Sequence, residues 1–99
     1  MPGYRVTLRA QEDLKNIGRY TEQKWGRRQR NIYLKALEKC FYWLTENPQL
    51  GKHRTDVADG YYSFPQGEHV VFYLIGEQGI DVIGVPYKEM DIITYFLPD

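Results

Sequence analysis

The chain has 99 residues with thirteen basic and thirteen acidic side chains, so its formal net charge is zero. That length fits one domain over residues 1–99 and excludes two. Nine Tyr, four Phe and two Trp in a 42% hydrophobic chain exclude a disordered polyelectrolyte. No apolar run approaches the roughly 20 residues that cross a bilayer.

In chain order, Tyr4, Val6 and Leu8 alternate with Arg5, Thr7 and Arg9, the period-two pattern of a strand with one wet face. From Ala10 the period changes: Ala10, Leu14, Ile17, Thr21 and Trp25 fall on one side of a helix. Glu12 and Asp13 are expected in its first turn, where the helix dipole favours negative charge. Gly26 interrupts the pattern. A second helix is expected over 27–46, with Tyr33, Leu37, Cys40 and Leu44 on its apolar stripe, and Asn47-Pro48 stops it. The short link at Gly26 makes the two helices an antiparallel hairpin.

Residues 48–60 read as a loop. Three strands are expected next: Tyr61–Pro65, Glu68–Ile75 and Ile80–Val85. The middle one contains Val70-Val71-Phe72-Tyr73-Leu74-Ile75, apolar on both faces, as a central strand is. Gln66-Gly67 and Gly76–Gly79 are compact hairpin links. The apolar tail, Tyr87 to Asp99, either packs back or meets a partner. The order β-α-α-β-β-β gives an α+β fold, a helical hairpin on one face of a small, mostly antiparallel sheet. No second helical layer is evident, so the other sheet face is expected to be open to a partner.

Residues 1–56 hold twelve Lys/Arg and six Asp/Glu, whereas residues 57–99 hold Lys88 alone against seven acids. Such separation favours oriented docking with a charged partner and argues against a uniformly basic DNA-coating face. The start, Met1 to Arg5, leads into no apolar signal stretch. A single cysteine, Cys40, forms no internal disulfide, so the cytoplasm is the expected location.

Candidate chemistry is sparse. Cys40, His53 and His69 have no zinc spacing, so neither a metal nor a cofactor is expected, and Cys40 on an apolar stripe reads as an inert core residue. His69, at a strand start, reads as making a local hydrogen bond. The run Lys24-Trp25-Gly26-Arg27-Arg28-Gln29-Arg30 reads as a contact for phosphate or an acidic protein segment, or as a solvated hairpin tip; the latter is preferred for Arg27 and Arg30. Trp25 in such a place more often packs than serves as a ligand platform. Lys52, His53 and Arg54 beside Asp56 form a second cluster, and Tyr87 with Lys88 a third. Together such residues suit a phosphoryl transition state, against the plainer reading of polar loop and strand-end surface.

Several stretches in order carry a family resemblance: Asp13-Leu14-x-x-Ile17-x-x-Tyr20; Trp25-Gly26-x-x-Gln29-x-x-x-Tyr33-x-x-x-Leu37; Glu46-Asn47-Pro48-x-Leu50-Gly51-Lys52; Gly60-Tyr61-x-x-Phe64-Pro65-x-Gly67-x-His69-Val70-Val71-Phe72-Tyr73; and Met90-Asp91. Over nearly its whole length the chain resembles the ParE toxins of the RelE/ParE superfamily. The resemblance implies a toxin of a bacterial type II toxin–antitoxin system, a class tied to plasmid stabilisation. Such a toxin inhibits DNA gyrase by binding rather than catalysis, and a ParD-like antitoxin neutralises it. Operator DNA would be reached only through the antitoxin, and no membrane is involved. On this reading Trp25, Phe64, Phe72 and Tyr73 receive the antitoxin, and Tyr87, Lys88, Met90 and Asp91 bear on gyrase. The alternatives are a RelE-like, ribosome-dependent mRNA endoribonuclease using Lys52, Arg54, Tyr87 and Lys88, or a degenerate toxin acting only as antitoxin partner and co-repressor. The central strand lacks the basic residues of the ribonuclease branch. The last strand departs from the ParE pattern, with Gly84 where an Arg and Tyr87 where a His is common.

Overall fold

A computed structural model describes residues 3–98; the outermost positions of the expected 1–99 domain, Met1, Pro2 and Asp99, lie outside the described residues. Strand β1 (Gly3–Val6) leads into helices α1 (Leu8–Trp25) and α2 (Arg27–Glu46), then a 3-10 turn (Pro48–Leu50). Strands β2 (Lys52–His53), β3 (Tyr62–Gln66), β4 (His69–Ile75) and β5 (Gly79–Gly84) precede a short helix, α3 (Ile92–Phe96). The five strands form one sheet in the order β1-β5-β4-β3-β2. Only the β1–β5 pair is parallel. The two-helix layer on a mostly antiparallel sheet is therefore as expected, with β4 central.

The alternation does not carry the first strand to Arg9. Thr7 caps α1, its hydroxyl accepting from the Ala10 N–H at 3.3 Å, and Leu8 begins the helix with 80% of its surface exposed. A side-chain cap ends a strand even where the period-two pattern runs on. The earlier helix start moves Glu12 and Asp13 out of the first turn, which contains no acid. On the expected stripe Ala10, Ile17 and Thr21 are buried, but Trp25 is 66% exposed.

Gly26, at φ +93°, is the whole link between the helices, a conformation that suits glycine. Glu22 meets Arg30 and Gly18 faces Leu34, the pairing of an antiparallel hairpin. Between hairpin and sheet lies the main core: Ile17, Leu37, Cys40, Phe41 and Leu44 from the helices against Val71, Tyr73, Ile80 and Val82. Cys40 is buried here and its thiol is pushed up to about 11 by burial, in keeping with an inert role.

Register sorts the central strand by face. Tyr73 lies opposite Tyr62 and Val71 opposite Phe64, and all four belong to the helix side. Phe72, opposite Ser63, points to the other face. That face is not open as expected. The tail packs back, and Phe96 of α3 meets Phe72 edge-on at a centroid distance of 5.1 Å. Phe72 is 0% exposed. The segment read as loop over 48–60 also holds the 3-10 turn and β2, which pairs only Lys52 with Ser63 and His53 with Tyr62.

Candidate functional site

The second face is built around α3. Asp91 caps it through the Thr94 N–H and hydroxyl. The Asp13 carboxylate, in the second turn of α1, accepts from the Val85 N–H at 2.8 Å and also from the Tyr95 hydroxyl. It thus ties α1, the end of β5 and α3 together. Burial, the Asp13 hydrogen bond and its charge all push the Tyr95 phenol up, so it remains a donor. Gly84 makes room for this ring, since a Cβ there would collide with the Tyr95 hydroxyl and lie 2.9 Å from its Cε2. The sheet is irregular at this point: Phe72 is opposite Gly84 but Tyr73 opposite Val82. The skipped residue, Ile83, is the signature of a bulge, which bends the strand end.

Two arginines clasp the aromatic cluster. The Arg9 guanidinium lies 5.2 Å from the Tyr95 centroid and 5.3 Å from that of Phe96, and donates to the Tyr95 carbonyl at 3.2 Å. Arg54 lies 5.2 Å over Phe72. It also holds Asp56 with two bonds of 2.9 Å and donates to Ser63 Oγ at 3.3 Å. The Arg54 guanidinium holds the Asp56 carboxyl below the usual carboxylate range.

A second set of polar groups lies where β4 begins. Glu68 donates its N–H to the Tyr33 hydroxyl at 2.9 Å, and that hydroxyl lies 2.6 Å from His69 Nδ1. This bond joins α2 to the start of β4. His69 is therefore held by a residue on α2, not by a local bond. Burial pushes its pKa down, partly opposed by Asp13 and Glu68. Tyr87 packs edge-on against His69 at 5.9 Å, and Lys88 pairs with Glu68 at 2.8 Å. β5 ends at Gly84, two residues before Pro86, which has no N–H to give the ladder; the Pro86 carbonyl accepts from Val70 at 2.9 Å.

The four residues expected at one antitoxin surface are dispersed. Tyr73 is 0% exposed on the helix side, its hydroxyl donating to the Pro48 carbonyl at 2.7 Å and accepting from the Gly51 N–H at 3.1 Å. Phe72 lies beneath α3. Phe64 is half-buried beside Trp43, at 5.2 Å. Trp25 lies at the hairpin tip, about 24 Å along α2 from Trp43 at the ordinary helical rise. Only Phe64 and Trp25 thus present surface. Of the four residues expected to bear on gyrase, Tyr87 and Met90 are exposed, Lys88 is engaged with Glu68, and Asp91 is spent as a helix cap.

The residues of the ribonuclease alternative divide between two places. Lys52 is level with Ser63, hence with Phe72, while Tyr87 is opposite His69, about 10 Å away along β4 at the strand rise. Arg54 is bound to Asp56, and Lys88 to Glu68. Among the described residues no cluster of three or more His, Cys, Asp or Glu is arranged to hold a metal. Among the described residues no helix is long and apolar enough to cross a membrane. Sequence reading missed the linking roles of Asp13, Tyr33 and Tyr95. Asp13 did carry a signal, as an acid next to the apolar stripe rather than opposite it.

Known proteins give this geometry a context. The Toxin ParE1 of Caulobacter vibrioides is 34% identical over 91 residues, covering 92% of this chain and 94% of that protein. The Toxin ParE1 of Mycobacterium tuberculosis is 32% identical over 90 residues, covering 90% and 92%. Among solved structures, a chain of the chromosomal ParDE toxin–antitoxin system from P. aeruginosa superposes with a TM-score of 0.75 at 14% identity, covering 90% of this chain and 98% of that one. A chain of the YoeB–YefM toxin–antitoxin complex from Staphylococcus aureus gives 0.60 at 20% identity, covering 88% and 97%. The fold is therefore RelE/ParE-like. The family described as the ParE toxin of the type II toxin–antitoxin system parDE matches residues 4–92, and this chain belongs to it.

Proposed function

We propose that this ParE-family chain acts by binding: it inhibits DNA gyrase, and a ParD-like antitoxin in the same cytoplasm neutralises it. The observation that carries this reading is the family match over residues 4–92, joined to a site in which two of the three candidate catalytic cations, Arg54 and Lys88, are already paired. Arg54 and Lys88 each hold a carboxylate, and an ion pair of that kind must be broken before either cation can meet a scissile phosphate.

The antitoxin contact is placed at the Trp43–Phe64 strip. Both rings retain exposed surface, and β2 covers only two residues of β3. Beyond Ser63 the outward-facing residue of β3 is Pro65, which has no N–H to offer an added strand, so the contact is one of apolar side chains. We assign the gyrase contact to Tyr87 and Met90, which are exposed on the segment between β5 and α3.

Induced expression should arrest growth without cutting mRNA, and coexpressed antitoxin should restore growth. Phe64→Glu should remain toxic but escape rescue, and Tyr87→Ala with Met90→Ala should lose toxicity while still binding antitoxin. Cleaved mRNA, abolished by Tyr87→Phe, would move the ribonuclease to first place. Antitoxin binding without any growth defect would support the co-repressor.

A further inference from the structure

We propose that the tip of the helical hairpin binds single-stranded nucleic acid, with phosphates held by Lys24, Arg27 and Arg28 and a base stacked on the Trp25 indole. Residues 19–30 contain five cations and one acid. The acid, Glu22, is taken up by Arg30. Arg19, Lys24, Arg27 and Arg28 make no ion pair among the described residues, and all four are exposed. The single-residue link at Gly26 brings the end of α1 next to the start of α2, so Lys24, Arg27 and Arg28 all lie within two residues of the turn. Trp25 lies among them with 66% of its surface in solvent. Tyr20 adds a second exposed ring, which already receives Lys24 Nζ at 5.6 Å from its centroid.

A lone exposed apolar ring is ordinary on a protein surface; what distinguishes this one is its surroundings. Here the indole is bordered by cations rather than aliphatic side chains. A protein partner that buried it would have to desolvate those charges as well. A nucleotide supplies both complements at once, a flat π-face for the indole and a phosphate for the cations.

The test is fluorescence anisotropy with end-labelled dT12 and rU12 in 50 mM salt, with polyglutamate as competitor. This assay contains neither gyrase nor antitoxin, so its outcome is separate from the toxin mechanism. Three phosphate contacts predict a slope of log K against log salt of about −2. Lys24→Gln with Arg27→Gln and Arg28→Gln should weaken binding at least about tenfold and flatten that slope. Trp25→Ala should weaken it about five- to a hundredfold with the slope kept. In a Trp43→Phe background, the Trp25 emission should be quenched on binding. Preference for either oligomer names the natural source as DNA or RNA. The proposal is overturned if neither oligomer binds at about 100 μM, well above the range set by these contacts, if the tip variants bind as tightly as the parent, or if polyglutamate of equal charge competes equally. Circular dichroism of the variants, all altered at exposed positions, verifies that the helices remain.

Discussion

Gly84 and Tyr95 form a matched pair: the first lacks the atom that the hydroxyl of the second would strike. The resemblance marks Gly84 as a departure, and the structure supplies its counterpart, a ring reaching over the strand end to Asp13. Gly84→Ala should cost about 1–3 kcal/mol through overpacking, read by chemical denaturation. In a Tyr95→Ala background the same change should cost nearly nothing, and equal costs in both backgrounds would refute the pairing. His69 gives a second residue-scale prediction. Burial lowers its folded pKa below the ordinary 6.5, so the unfolded chain binds the proton more readily. Stability from the neutral imidazole is then fully present above about pH 6.5 and falls as pH drops from there toward the folded pKa. His69→Gln should flatten that decline. Glu68 and Asp56, whose carboxyls Lys88 and Arg54 hold low, act in a separate window below about pH 4.5.

The elements differ in how far they can be read from sequence. The helical hairpin was legible because its stripes run for several turns and Gly26 and Pro48 punctuate them. The central strand was legible because Val70–Ile75 is apolar on both faces. Helix α3 was not: five residues are too few for a period to show, and its reason to fold is tertiary. It exists where Asp91 caps it and where Phe96, Tyr95 and the two arginines close over Phe72. The candidate site suffered for the same reason at Phe72, which reads as surface only while the second face is empty; Tyr73, its neighbour along the strand, points to the helix side instead. β2 escaped notice because two residues carry no alternation. Phe96→Ala should therefore release α3, costing about 1–3 kcal/mol for a partly buried ring. Amide exchange should rise at Tyr95–Leu97 and at Val85 while the α1–α2 amides stay protected. Unchanged exchange at Val85 would show that α3 is not what holds the second face.

At the scale of the whole molecule the charge is separated though its sum is zero. The helical half is basic, the β4–β5 and C-terminal half acidic, and the apolar surface is distributed among the tip, the Trp43–Phe64 strip and the segment around Tyr87 and Met90. Three separated surfaces suit a protein that works by contacting others. The proposed target among them is gyrase. The most direct measurement adds the purified, folded chain to gyrase, relaxed plasmid and ATP, and scores supercoiling together with linear DNA trapped by denaturant. Supercoiling should be lost and linear plasmid should accumulate, both reversed by the antitoxin and absent for Tyr87→Ala with Met90→Ala. Undiminished supercoiling and no linear product at a micromolar excess of folded chain would contradict gyrase as the target.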